Sequence, residues 1–178
     1  GNEKIVEEMS KDVERLKLVS DRFGKIGSIP QLEPHDIIHQ VETMMEYIRK
    51  RATGKVQFAL KNNAISPLII PVSPPLFDWV IENLLKNALD AIYGKGNITV
   101  TINDTGKQVT IDVSDTGKGI ARQNITNVFK PGFTTKKRGW GLGLSLSKRI
   151  IDQYHKGQLF VKQAELGKGT TFRIVLHK

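Results

Sequence analysis

The sequence contains no cysteine. That excludes disulfides and thiolate-bound metal, and it suits a reducing compartment, so the expectation is a cytoplasmic domain. No apolar run approaches the roughly 18 residues that span a bilayer. No basic start leads into an apolar stretch, so there is no signal-peptide pattern. Acidic residues are in deficit, 18 against 27 lysines and arginines, for a net charge of +9. The cations are spread along the chain, with Lys136-Lys137-Arg138 as a tight cluster, and no aromatic residue interleaves with that cluster to stack bases. Nucleic-acid binding is therefore not expected, and anionic small molecules or acidic protein partners account for the charge.

What is present fits one domain of ordinary composition with a short appendage, since the chain has 178 residues, 39% of them hydrophobic and 25% charged. Residues 1–30 form the appendage and 31–178 the domain. In the appendage, Ile5, Met9, Val13, Leu16, Val19, Phe23 and Ile26 follow one another at steps of four or three. The mean step of about 3.5 is that of a coiled-coil or bundle seam, which needs a partner helix. Gly24, Gly27 and Pro30 end the helix.

A second helix is predicted from about Pro34 to Ala52, with Ile37, Ile38, Val41, Met44, Met45 and Ile48 on its apolar face and His35 and His39 one turn apart near its start. No third ligand lies near the two histidines, so they read as surface residues rather than a metal site. Short strands are predicted at 55–60 and 67–72. A helix follows from about Pro74 to Tyr93, with Ser73 able to cap it and prolines in its first turn. Asn97 to Ile102 and Gln108 to Val113 alternate with period two and form a hairpin. A glycine- and lysine-rich irregular region covers 115–143, a helix runs from about Leu144 to Tyr154, and two strands, 158–162 and 170–176, close the chain. Helices mixed with antiparallel hairpins imply an α+β two-layer sandwich, with helices on one face of a mixed sheet.

Several segments carry chemistry. In Glu82-Asn83-Leu84-Leu85-Lys86-Asn87-Ala88-Leu89-Asp90-Ala91, the residues Asn83, Asn87 and Asp90 share one helix face, apart from the apolar stripe. Polar groups in such a line are costly without partners, and asparagine oxygens suit Mg²⁺ beside substrate phosphates; a capped surface face is the plainer alternative. Asp115-Thr116-Gly117-Lys118-Gly119-Ile120 follows a strand. Its carboxylate can accept from an exocyclic amine, and its glycines let the backbone approach a flat ligand, although a plain tight turn has the same form. Gly139-Trp140-Gly141-Leu142-Gly143-Leu144-Ser145-Leu146-Ser147 opens a helix and offers free N–H groups to phosphates. It lacks the spacing of a dinucleotide fingerprint and the Gly-Lys-Ser/Thr ending of a Walker loop. Ahead of it, Val128-Phe129-Lys130-Pro131-Gly132-Phe133-Thr134-Thr135-Lys136-Lys137-Arg138 has the composition of a closing lid.

In this order and spacing, these segments resemble the N, G1, F and G2 boxes of the sensor histidine kinase catalytic domain, within the gyrase, Hsp90, histidine kinase and MutL superfamily. The likeness covers about Leu32 to His177, and Phe129-Lys130-Pro131-Gly132-Phe133-Thr134-Thr135-Lys136 resembles the nitrogen-regulation subtype. The ending Gly167-Lys168-Gly169-Thr170-Thr171-Phe172 resembles the family's last strand pair. The resemblance implies a Bergerat fold that binds ATP and Mg²⁺. It implies that Asn87 coordinates the metal with Asn83 nearby, that Asp115 bonds the adenine amine, and that Gly117 and Gly119 shape the adenine pocket. Lys136 would reach the terminal phosphates, Gly139, Gly141 and Gly143 with Leu142 and Leu144 would wrap the triphosphate, Thr170 would support adenine through water, and Asp90 and Phe129 would border the nucleotide. Asn87 and Lys136 would then be the catalytic pair. The implied partners are an upstream dimerisation segment that bears the acceptor histidine, a response regulator receiver domain, and a second copy in a full-length homodimer, which a membrane anchor would suit.

The chain also departs from that pattern. Trp140 stands where many members have Thr or Ser. Asp90-Ala91 replaces a common Lys-Tyr pair, so the lysine's phosphate contact is missing unless Lys86 or Lys136 supplies it. Neither His35 nor His39 fits an acceptor site, which is expected upstream of residue 1; residues 1–30 resemble the second helix of the dimerisation hairpin. A gyrase-type hydrolase is the competing enzyme reading, but that class places a glutamate four residues before the magnesium asparagine, where this chain has Asn83, and Glu82 is about 100° away around the helix. A non-catalytic interaction module is a third reading, opposed by the intact glycine loops and asparagines.

Overall fold

The computed structural model describes residues 2–4, 6–7, 30–52, 54–133 and 143–178. The expected seam of the first helix, Ile5 to Ile26, lies outside the described residues, although residues 2–4 and 6–7 are helical.

The domain begins with a short ribbon. Strand β1 (Glu33–Asp36) pairs antiparallel with β3 (Ile69–Val72). Helix α1 spans Ile37–Arg51 and starts three residues later than the periodicity implies. The reason is local: Asp36 ends the strand and caps the helix, its carboxylate accepting from the Ile38 N–H at 3.2 Å and from the Leu68 N–H at 3.2 Å. His35 consequently lies on β1 and His39 on α1, so the one-turn pairing does not exist. Among the described residues no group of three His, Cys, Asp or Glu could hold a metal ion. Arg49, Lys50 and Arg51 occupy the last turn of α1, where cations oppose the helix dipole favourably.

Strand β2 (Lys55–Asn62) follows, and after β3 comes α2 (Pro74–Ala91). Ser73 stands at the N-cap of α2, but its side chain makes no capping bond; its N–H instead donates to His155 Nε2 at 3.0 Å. Strands β4 (Lys95–Asp104) and β5 (Gln108–Asp115) form the expected hairpin, each longer than its alternating core. Its turn holds Gly106 at φ 96°, a conformation that side chains with a Cβ resist. Helix α3 is α-helical only over Gly143–Arg149 and widens to a π-turn over Ile150–Tyr154. Strands β6 (Gln158–Glu165) and β7 (Gly169–His177) end the chain.

The main sheet has the order β2-β4-β5-β7-β6, with β2 and β4 parallel and the remaining neighbours antiparallel. Strand alternation sends one set of side chains inward. Val100 stands opposite Val113, Val113 opposite Phe172, and Ile111 opposite Ile174, and all of these are buried. The apolar stripe of α2 (Val80, Ile81, Leu84, Leu85, Ala88) belongs to the same core cluster, as do Ile37, Val41 and Ile48 of α1 and Ile150 and Ile151 after α3. Each such side chain contributes about 1.5–3 kcal/mol on burial. On the other face, Asp112 of β5 sits opposite Arg173 of β7 and accepts two guanidinium bonds, at 2.7 and 2.8 Å. This is the expected two-layer α/β sandwich, with helices on one face of a mixed sheet. No helix among the described residues is long and apolar enough to cross a membrane.

Candidate functional site

The last residue of β5, Asp115, is 8% exposed. It stands opposite Thr170, also buried, at the start of β7. Its Oδ1 accepts from the Gly117 N–H at 2.8 Å, and the Thr170 backbone N–H also bonds it. Burial pushes the carboxyl above its ordinary range, and those N–H groups pull part of the shift back. A buried carboxylate held at a strand end by two backbone N–H groups keeps acceptor capacity for a further donor.

The glycines around Asp115 are required by backbone proximity. A Cβ on Gly117 would lie 2.3 Å from the Ala91 carbonyl oxygen, at the end of α2, and the Lys118 N–H bonds that same oxygen at 2.8 Å. Gly119, at φ 74°, would drive a Cβ to 2.0 Å from the Glu165 carbonyl oxygen. The turn after β5 is thus clamped between α2 and the β6–β7 connection, where the Gly167 N–H bonds the Lys118 oxygen. Beside it lies a half-open, mainly apolar cavity of about 230 Å³. Ile120, Val128, Phe133 and Leu166 supply its apolar walls.

Asn83 and Asn87, one turn apart on α2, are both half-buried. Asn83 Nδ2 donates to Ser147 Oγ of α3 at 3.2 Å, and Ser147 is fully buried. Gly143, the first residue of α3, lies so close that a Cβ there would fall 2.4 Å from Asn83 Oδ1. The helix opened by the last glycine of the loop is therefore docked against the asparagine face. Leu144 packs on the core beside it. Ser147 closes the motif that begins at Gly139, and its spacing of four from Gly143 puts both on one helix face, but sequence alone assigns it no role. Asp90 is exposed at the end of α2. Phe129 is half-buried, edge-on to Phe172 with ring centroids 6.0 Å apart. Lys136, Gly139, Gly141, Leu142 and Trp140 lie outside the described residues.

On α2, Lys86 forms an ion pair with Glu82 at 3.2 Å within its own helix. Glu82 is 5% exposed and carries that same pair, unlike a general base open to an attacking water.

The arrangement suits a nucleotide and a magnesium ion. The Gly143 backbone lies directly against the Asn83 amide, with no room between them for a side chain. Amide oxygens are hard ligands, and Mg²⁺ commonly takes few protein ligands beside phosphates and water. Asn87, with Asn83 beside it, is the group that would hold the ion; Asp115 would hold the base.

Residues 73–178 match the family described as histidine kinase-, DNA gyrase B-, and HSP90-like ATPase. The chain is 32% identical over 175 residues to sensor histidine kinase ZraS of Escherichia coli K12, covering 97% of this chain and 37% of that protein. It is 31% identical over 175 residues to sporulation kinase E of Bacillus subtilis 168, covering 94% of this chain and 23% of that one. The chain thus spans well under half the length of the curated relatives it matches. Among solved structures, the nucleotide-free catalytic domain of histidine kinase ThkA superposes with a TM-score of 0.72 at 26% identity, covering 83% of this chain and 95% of that domain. The mycobacterial sensor histidine kinase MprB gives 0.72 at 25% identity, covering 82% and 97%. Because the family model matches more than half of the chain, the chain belongs to the histidine kinase-, DNA gyrase B- and HSP90-like ATPase family.

Proposed function

We propose that this chain is the ATP-binding catalytic part of a sensor histidine kinase, presenting the γ-phosphate to a histidine on a dimerisation segment for relay to a response regulator aspartate. The observation that carries the reading is the buried Asp115 carboxylate, held by the Gly117 and Thr170 N–H groups at the strand end. It accepts the adenine amine, while Gly117 and Gly119 bring the backbone against the ring. Asn87, with Asn83 beside it, would hold Mg²⁺ beside the phosphates. Bound Mg²⁺ would neutralise charge on the phosphates during in-line transfer. The glycine loop that ends at Gly143 would offer its N–H groups to the same phosphates. Lys136 would meet the terminal phosphate. Glu82, buried and paired with Lys86, is not open to an attacking water as a hydrolytic base would be, which supports this reading over hydrolysis.

Residues 1–30 would be the second helix of the dimerisation hairpin and 31–178 the catalytic domain, with the acceptor histidine upstream of residue 1. The full-length protein would be a homodimer with its catalytic part in the cytoplasm. The run Phe129 to Lys136 supports the nitrogen-regulation subtype. The test is complementation in trans. The chain incubated with γ-labelled ATP should acquire no acid-labile phosphate itself. Mixed with the longer protein carrying Asn87→Ala, it should label that protein on histidine. Stable phosphohistidine on His35, His39, His155 or His177, or no transfer to the longer protein, overturns the reading.

A further inference from the structure

We propose that Lys148 is a positioning residue that fixes Phe129, and with it the turn from Val128 to Phe133, to the helix opened by Gly143. The inference rests on the nucleotide-binding reading above, and concerns how binding at one segment reaches another.

The observations converge on one ammonium group. Lys148 follows Ser147 on α3, so neighbouring residues of one helix turn reach in two directions. Ser147 holds Asn83 of α2. Lys148 Nζ stands 5.2 Å from the centroid of the Phe129 ring. Its other donors are engaged by the Leu159 carbonyl oxygen of β6 at 2.8 Å and by Asp152 Oδ2 at 2.9 Å. Asp152 is itself tied to β6, its Oδ1 accepting from the Leu159 N–H at 3.1 Å. The ammonium therefore has little freedom to move away from the ring: helix, strand and carboxylate pin it. Phe129 is also packed edge-on against Phe172, at an interplanar angle of 87°.

This geometry differs from that of a surface lysine. A cation held near an aromatic face attracts it electrostatically, and the attraction grows as water is excluded. The Phe129 backbone belongs to a run of turns in which the Val128 N–H bonds Asn124, the Lys130 N–H bonds Asn127 and the Phe133 N–H bonds Lys130. Nothing in that run pairs with the sheet as a strand does. Its orientation depends on the side chains it buries, Val128 and Phe129. Phosphates bound against Gly143 would restrain α3, and α3 holds Phe129 through Lys148. Val128 and Phe133 line the cavity beside the Asp115 turn, so the Lys148–Phe129 contact also joins the two ends of the site.

The test is a double-mutant cycle on this chain with a non-hydrolysable ATP analogue, using hydrogen exchange of the amides of Val128, Lys130 and Phe133 as the readout. Calorimetry in parallel confirms that each variant is saturated. In the parent, saturating analogue should slow exchange at these amides about tenfold. Lys148→Met keeps the alkyl stem and removes the charge, and it should reduce that protection to about twofold while the analogue still binds. Lys148→Arg should restore it. In the Phe129→Leu background, Lys148→Met should cause no further loss. Full protection in Lys148→Met, or independent losses from the two substitutions, overturns the proposal. If the parent binds no analogue at all, the nucleotide reading fails instead.

Discussion

The Cα of Gly143 and the side-chain amide of Asn83 touch closely enough to exclude a side chain: a Cβ at 143 would lie 2.4 Å from Oδ1 and 2.9 Å from Nδ2. That proximity joins the start of α3 to the asparagine face of α2. Gly143→Ala should therefore fold but push Asn83 aside. Forced overpacking costs about 1–3 kcal/mol. Mg-ATP affinity should fall roughly fivefold or more, as RT ln 10 is about 1.4 kcal/mol. Titration calorimetry measures this, and unchanged affinity would show that the Asn83–Gly143 contact plays no part in binding.

Asp115→Asn should weaken ATP and ADP alike, since the lost bond is to the base. A charge-assisted bond of about 1.5–3 kcal/mol implies at least a tenfold loss. Folding should not suffer. Burial holds the Asp115 pKa above its ordinary 3.8, so its ionised form opposes the folded state, and the neutral asparagine removes that opposition. The melting temperature at neutral pH should be equal or higher. In the parent, nucleotide affinity should decline as pH falls from neutral toward the raised pKa, because a protonated carboxyl no longer accepts freely. Affinity independent of pH down to about 4 would count against the assignment, given the usual carboxylate value of about 3.9.

His155 should make the fold acid-sensitive. The ring is 6% exposed, Nε2 accepts from the Ser73 N–H, and Nδ1 faces the Ile150 oxygen at 3.0 Å. Burial lowers its pKa from 6.5. The unfolded state then binds a proton more readily than the folded one. Stability is complete above pH 6.5 and falls as pH drops below it. Chemical denaturation between pH 7.5 and 5, compared with His155→Gln, should show a steeper loss in the parent. Parallel curves would mean that His155 titrates normally.

Hydrolysis in the absence of an acceptor should be slow, and Glu82→Gln should leave it slow. The buried Glu82 carboxylate is paired with the half-exposed Lys86. A coupled phosphate-release assay decides this: a strong drop on substitution would identify Glu82 as a base and return the chain to the hydrolase reading.

Much of this was legible in the sequence because its signals are local. The alternation of Asn97 to Ile102 and Gln108 to Val113 marks strands whatever they pair with, and the 83, 87 spacing marks a helix face without its neighbours. The start of α1 was not legible, since residues 33–36 become a strand only because Ile69–Val72 lies beside them. Ser73 looks like a cap, yet its N–H is taken by a histidine 82 positions away. The roles of Ser147 and Lys148 were likewise hidden: both depend on which elements α3 meets, and no spacing along one helix records that. The glycines were half legible. Their positions suggest a close approach, but only the fold shows that Gly117 yields to Ala91 and Gly119 to Glu165.

The most direct test of the central claim is a calorimetric titration of the chain with ATP, in the presence and absence of Mg²⁺, alongside Asp115→Asn and Asn87→Ala. The account predicts one site per chain, tighter with Mg²⁺. Asp115→Asn should weaken binding under both conditions, and Asn87→Ala should abolish the gain from the metal. No heat of binding in the parent, or binding indifferent to both substitutions, would contradict it.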